Sequence, residues 1–384
     1  SATIAMARKA RELKSQGQDV ISLSLGEPDF NTPDFIKDAA KEGIDQNYSK
    51  YMPVNGYLDL REAISKKFSR DNDINYTADQ IVVSTGAKQS IANVVLSCVN
   101  PGDEVIVPAP FWVSYEEIIK MAEGTPVFIE TSIENDFKIT PSQLKNAITD
   151  KTKMMIYSSP CNPSGSVYSK DELRSLADVL VNYPLITIVS DEIYEHINFT
   201  SKYFSMGAFS DMYNQVVTVN GVSKSFAMTG WRLGYIGAPI WLAKACTKIQ
   251  GQFTSGTSGI SQRAALAAIS ADPIVINDMK TAFLKRRDFV LTELSKIKGI
   301  KINKPQGAFY VFPDVSSFFN KSYKDYTIKN ADDLTMYILE SAKVALVTGN
   351  AFGSPNCVRI SYASSIKSLQ IAVRRIADSL NRLQ

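Results

Sequence analysis

Histidine is almost missing from this chain of 384 residues: His196, in DEIYEHI, is the only one. Two-histidine metal sites are excluded, and acid–base chemistry has to rest mainly on Lys, Tyr, Asp or Glu. With no sequence neighbours for a metal or a catalytic triad, His196 reads as an element-edge residue. Cysteine is scarce too: Cys98, Cys161, Cys246 and Cys357 lie far apart without a CxxC pair, so neither a disulfide framework nor a zinc site is expected. A reducing, cytoplasmic compartment fits that usage. No apolar run approaches membrane-spanning length and no charged-then-apolar leader opens the chain, so a soluble protein without membrane partners is expected. The chain opens at Ser1 without a methionine, so its start leaves open whether a leader was trimmed.

Charge is nearly balanced, at +3, and the one basic cluster is KRR at 285–287, a solvated helix face. Nucleic-acid binding is not expected from such a distribution, nor is a regulatory protein that adds a DNA-binding extension to a ligand sensor. Nucleotide motifs are missing as well. No GxGxxG follows a strand, GWRLGYIG has the wrong spacing, and there is no GxxxxGK.

What is present is an ordinary globular composition, 45% hydrophobic and 21% charged, on a chain long enough for one large and one smaller domain. Seven β-rich runs recur: IVVS (81–84), EVIVP (104–108), PVFIE (126–130), KMMIYSS (153–159), ITIVS (186–190), VVTV (216–219) and GYIGA (234–238). Several are apolar without alternation, which suits strands covered on both faces. Helical patterns lie between them. In YSKDELRSLADVL, Ser169 and Glu172 form a capping box ahead of the stripe Leu173, Leu176, Ala177 and Leu180. After TGAK, Ile91, Val94, Val95 and Cys98 recur at helical spacing. Strand alternating with helix predicts an α/β sandwich on a mostly parallel seven-stranded sheet over residues 30–275. Past about 275 the pattern changes to a long polar helix, QGAFYVF, a helix near 331–342, VALVTG, VRISYA and a closing helix. Residues 276–384, completed by 1–29, read as a smaller α+β domain.

Ligands of such sheets sit beyond the carboxyl ends of the strands. There the sequence puts Gly86, Ala87 and Lys88 opening a helix, Trp112 after EVIVP, Asn162 after KMMIYSS, Asp191 and Tyr194 after ITIVS, and Ser223 and Lys224 after VVTV. Small residues at a helix start let backbone N–H groups approach a phosphate. A phosphate cup, an aromatic plate, an acid, a phenol and a strand-end lysine together describe a pocket for pyridoxal 5'-phosphate. Lysine can condense with the cofactor's aldehyde, and a carboxylate can keep its ring nitrogen protonated.

The segments SLGEPDF, KYMPVNGYLDLREAI, PCNPSG, DEIYEHI, SKSFAMTGWRLGY, QGAFYVF and VRISYA resemble the class I aminotransferases of pyridoxal-phosphate fold type I, over essentially the whole chain. Among them the chain is most similar to the bacterial aspartate aminotransferases of the branch that also contains prephenate aminotransferases. The resemblance implies that Lys224 bonds to the cofactor and shuttles the proton, that Asp191 pairs with the ring nitrogen, and that Tyr194 and Asn162 bond the ring hydroxyl. It implies that Trp112 stacks on the ring, and that Gly86, Ala87, Ser223 and Arg232 hold the phosphate, joined by Tyr51 from the second subunit of a homodimer. Some relatives carry a hydroxyl where this chain has Gly221, so that phosphate contact is not carried over. Arg359 matches the clamp on the substrate α-carboxylate, and Gly26 the backbone contact to it. Thr3 and Lys88 match positions linked to the substrate's second carboxylate. The implied reaction moves the amino group of L-aspartate to 2-oxoglutarate; alternatives on the same scaffold are prephenate, aromatic or kynurenine aminotransfer, or a β-lyase.

Overall fold

The computed structural model describes residues 2–384, with side chains from Ile4 onward, so the side chain of Thr3 lies outside the described residues. Seven strands form the central sheet: β1 (Ile81–Ser84), β2 (Glu104–Pro108), β3 (Thr125–Ile129), β4 (Thr152–Ser158), β5 (Thr187–Asp191), β6 (Val216–Gly221) and β7 (Gly234–Gly237). Their order is β1-β7-β6-β5-β4-β2-β3. Strand β7 runs antiparallel to both its neighbours, and every other pairing is parallel. Because β1 and β6 are each antiparallel to β7, the carboxyl ends of all six remaining strands lie at one edge.

The unbroken apolar runs have a direct explanation in the packing. Successive strand residues face opposite sides, and here both sides are covered. On one side Val105, Val107, Met154, Ile156 and Val189 meet Ile91, Val94 and Val95 of the helix Ala87–Cys98. On the other, Ile106, Met155 and Ile188 meet Leu173, Leu176 and Leu180 of the helix Lys170–Leu180. That second helix starts as its sequence predicts. Ser169 Oγ accepts from the Glu172 N–H at 3.2 Å, and Glu172 accepts from the Ser169 N–H at 2.7 Å. Strand β3 departs from the expected double burial, since most of its residues are exposed or half-buried at the sheet edge.

A second, antiparallel sheet orders β9 (Val347–Thr348), β10 (Val358–Ser361) and β8 (Tyr310–Val311). The N-terminal segment joins this part of the chain: Ile21–Ser22 pairs in parallel with Val344–Ala345, and the Ser361 N–H donates to the Leu23 carbonyl at 2.9 Å. In β10, Val358 and Ile360 belong to the main core, so alternation sends Arg359 to the other face, toward the carboxyl edge of the large sheet.

Candidate active site

A cavity of about 250 Å³ opens where that edge meets β8, β10 and the N-terminal segment. Its lining includes Gly26, Ala87, Lys88, Trp112, Asn162, Asp191, Tyr194, Ser223, Lys224, Arg232 and Arg359 from the residues singled out above. Gly86 stands just behind, at the N-cap of Ala87–Cys98 with φ +86°, and a Cβ there would run into the Arg232 guanidinium. Tyr51 is not part of the lining; it is 98% exposed on this chain. A Cβ on Gly221 would stand 3.0 Å from the Gly234 Cα, a tight fit against the backbone of β7.

The cavity's charge is lopsided. Lys88, Lys224, Arg232 and Arg359 line it against one carboxylate, Asp191. The hydrogen bonds these cations make go to neutral oxygens: Lys224 to Gly26 O at 2.5 Å, Arg232 to Thr229 O at 2.8 Å, and Arg359 to Asn162 Oδ1 at 2.8 Å and Ser24 O at 2.6 Å. Arg359 is only 2% exposed, and its Nε has no partner among the described residues. Its guanidinium lies between Tyr310 and Phe352, 4.5 and 4.9 Å from the ring centroids. A buried cation without an anion is costly, so this geometry stores a demand for an anionic ligand.

Burial lowers the pKa of the Lys224 amine to about 8, with Arg359 and Arg232 adding to the effect against Glu27 and Asp191. Burial, with Arg232 adding to it, also lowers Lys88, whose Nζ stands 5.1 Å from the Trp112 ring centroid. Asp191 moves the other way. It ends β5, is 4% exposed, and burial raises its carboxyl above the ordinary range although the Tyr115 hydroxyl, the Ile193 N–H and Lys224 all oppose the rise. Such a carboxylate becomes stably charged when a cation approaches it.

These features fit pyridoxal phosphate. The helix start at Gly86 carries no side-chain cap and is flanked by Arg232 and Lys88, as a dianionic phosphate requires. Asp191 lacks the cation that a protonated ring nitrogen would supply, and Lys224 carries an amine that is partly neutral near physiological pH.

Two tyrosines escaped the sequence reading. Tyr115 donates to Asp191 Oδ2 at 2.6 Å, and the Tyr310 hydroxyl is 2.7 Å from that of Tyr194. Nothing in WVSYEEII says that Tyr115 turns toward a residue 76 positions away. Tyr310 was findable: it pairs with Ser361, two residues from Arg359 on the adjacent strand, and so shares its face. Ile4 also reaches the cavity, from the helix Ala2–Ser15.

His196 has more neighbours than its sequence context suggested. It lies 3.1 Å from Glu195 and 3.6 Å from Asp71 in a cluster of metal-ligand type. Lys67 occupies that cluster instead, paired with Glu195 and 3.9 Å from Asp71. The network continues behind the Asp191–Tyr194 turn. Asn72 Nδ2 bridges Glu195 at 2.7 Å and Glu192 at 3.1 Å, and Glu192 also accepts from the hydroxyls of Ser190 and Ser205. Burial would raise Glu195, but Lys67 and His196 outweigh it and hold that carboxylate below its ordinary value. Glu192 lacks a cation of its own, and burial plus the charge of Glu195 pushes it up to about 8. The folded chain therefore holds a proton that the unfolded chain releases above the ordinary value of 4.5. Folded binding exceeds unfolded binding in that window, so this group's contribution falls as pH rises from about 4.5 to about 8. Glu192→Gln, a fixed neutral isostere, is expected to flatten that decline. Urea midpoints measured against pH test this, and parallel curves for the two proteins would reject it.

The sequence profile of aminotransferase class I and II matches residues 18–376. The chain is 46% identical to a bifunctional aspartate aminotransferase and glutamate/aspartate-prephenate aminotransferase of Petunia hybrida, covering 99% of this chain and 80% of that protein. It is 46% identical to an aspartate/prephenate aminotransferase of Nitrosomonas europaea, covering 99% and 97%. Among solved structures, the aspartate aminotransferase from Rhizobium meliloti superposes with a TM-score of 0.96 at 40% identity, covering 99% of this chain and 96% of that one. The Thermus thermophilus aspartate aminotransferase solved with maleate gives 0.93 at 39%, with the same coverage. With a family match over most of its length, and with the α/β architecture of fold type I, this chain belongs to the class I and II aminotransferases.

Proposed function

We propose that this chain is a pyridoxal-phosphate-dependent aspartate aminotransferase, converting L-aspartate and 2-oxoglutarate to oxaloacetate and L-glutamate. The observation that carries the reading is the cavity's set of four basic side chains against one carboxylate, with Arg359 buried between two aromatic rings and bonded to neutral oxygens. A phosphate together with a dicarboxylate answers that surplus; an aromatic amino acid does not. Names of relatives point the same way, including prephenate, itself a dicarboxylate, as the second reading.

In this reading Gly86, Ala87, Lys88, Ser223 and Arg232 hold the phosphate, with Tyr51 of the second subunit of a homodimer. Trp112 covers the ring, Asp191 holds the ring nitrogen protonated, and Tyr194 and Asn162 bond the ring oxygen. When bound, the cofactor supplies the electron sink that stabilises negative charge at the substrate Cα. Everything else falls to the chain's own groups. Arg359 and the backbone of Gly26 fix the α-carboxylate, and a guanidinium fork matches a carboxylate with two parallel bonds. Lys88 and Thr3 receive the second carboxylate. The Lys224 amine takes the Cα proton and returns it on the far side of the reaction, while Trp112 and Ile4 exclude water.

Residues 30–275 as the large domain, with 1–29 and 276–384 as a small domain that closes over the site, complete the reading. So does a cytoplasmic location, supported by four free cysteines and by the lack, among the described residues, of any helix long and apolar enough to cross a membrane.

Rates with 2-oxoglutarate as acceptor, and with prephenate as acceptor and aspartate as donor, test the assignment on purified protein. Aspartate is expected to exceed phenylalanine in kcat/KM by at least about a hundredfold, because phenylalanine leaves a charged subsite unpaired. A faster rate with phenylalanine would overturn the dicarboxylate reading.

A further inference from the structure

Tyr310 has no role in the reaction as described so far, yet it touches three of the groups that matter. Its ring faces Arg359, its hydroxyl meets the Tyr194 hydroxyl at 2.7 Å, and a Cβ on Gly26 would collide with that same hydroxyl. Tyr310 is fully buried, and Tyr194 is 3% exposed.

Two phenols in contact carry two protons, and only one proton can lie between the oxygens. If Tyr194 donated to Tyr310, the Tyr310 proton would be left facing the backbone of Gly26, where the hydroxyl makes no second hydrogen bond among the described residues. Both phenols line the cavity; if Tyr310 donates to Tyr194, the remaining proton belongs to Tyr194, whose ring centroid is 5.8 Å from the Lys224 amine. The second arrangement is the one that leaves the Tyr194 proton free for the oxygen of a ligand bound beside Lys224, and a buried donor without an acceptor is costly.

We propose that Tyr310 is a positioning residue: its hydroxyl donates to Tyr194 and thereby turns the Tyr194 proton outward, onto an anionic oxygen of the ligand bound beside Lys224. The inference rests on the cofactor reading above, which supplies that oxygen. A chain of two hydrogen bonds also polarises Tyr194, making it a stronger donor than a lone phenol. Through its ring Tyr310 keeps the plane of Arg359 fixed as well, so one side chain ties the proton geometry at the cofactor to the carboxylate clamp.

The test is the pH titration of the absorbance of the lysine-linked cofactor in the holoenzyme. A donor to the ring oxygen favours the form in which the linked nitrogen has lost its proton. Tyr310→Phe removes one oxygen and keeps the ring, so the titration midpoint is expected to rise by about half a unit to one unit, the worth of one hydrogen bond. The KM for aspartate is expected to stay within about twofold, because the contact with Arg359 is retained. In a Tyr194→Phe background the same substitution is expected to shift the midpoint no further, since its effect passes through Tyr194. A fall in the midpoint would mean that Tyr194 had been donating to Tyr310, and an unmoved midpoint would mean that the pair does not act on the ligand; either overturns the proposal alone. Wild-type protein whose Lys224 stays unlabelled after borohydride treatment would overturn the cofactor reading and this proposal with it.

Discussion

Lys224→Ala is expected to lower the transamination rate by about 10⁴-fold or more, the largest effect of any single substitution in this chain. Burial lowers the pKa of this amine to about 8, and it stands on the turn after β6, bonded to the Gly26 carbonyl and within reach of Tyr194. Cationic neighbours and burial both disfavour its charged form, which is what a base and a carbonyl nucleophile need. Lys88, the other lysine of the lining, stands against Trp112 instead, 5.1 Å from its ring centroid. Borohydride reduction followed by peptide mapping should place the cofactor label on Lys224 in the wild type and leave the variant's peptide unlabelled. A small primary amine added to the Lys224→Ala protein should restore part of the rate, because the rest of the cavity is unchanged. Wild-type turnover in the variant, or a label on another lysine, would sink the assignment.

Arg359→Lys is expected to reduce kcat/KM by about a hundredfold for every amino acid and oxo acid, mostly through KM. Charge is conserved in this substitution, so the loss measures geometry. A lysine offers no planar fork to a carboxylate, and it cannot lie flat between Tyr310 and Phe352 as the guanidinium does. The effect is expected to be the same for dicarboxylic and monocarboxylic substrates, since all of them share the α-carboxylate. Lys88→Met should behave differently, lowering the preference for aspartate over alanine. Steady-state kinetics with aspartate, glutamate and alanine separate the two cases. An unchanged KM in Arg359→Lys would place the α-carboxylate elsewhere, and a loss confined to aspartate and glutamate would reassign Arg359 to the second carboxylate.

Much of the architecture was legible beforehand because its causes are local. The apolar runs, the Ser169–Glu172 capping box and the stripe of Ile91, Val94 and Val95 each report on a few neighbouring residues, and each element was found within a residue or two of its expected place. The direction of a strand is not local. GYIG reads like its parallel neighbours, yet it forms the antiparallel β7, because direction depends on how the connecting chain returns. The candidate site divides in the same way. Asp191, Lys224 and Asn162 follow strands, so a parallel sheet was enough to gather them at one edge. Tyr115 and Tyr310 were passed over because their hydroxyls meet partners 76 and 116 positions away.

Residue types and their spacing were enough to limit the chemistry available: one histidine, no paired cysteines, and a lysine, an acid and a phenol set at the ends of strands of an α/β sheet. Those are properties of residue type and short-range pattern. Folding settles which charges meet a counter-charge, that Lys67 enters the acidic cluster beside His196 while Arg359 bonds to the neutral oxygens of Asn162 and Ser24, and which phenol meets which. The physical reason is that burial and pairing set the cost of a charge, and both depend on segments that meet only when the chain is folded.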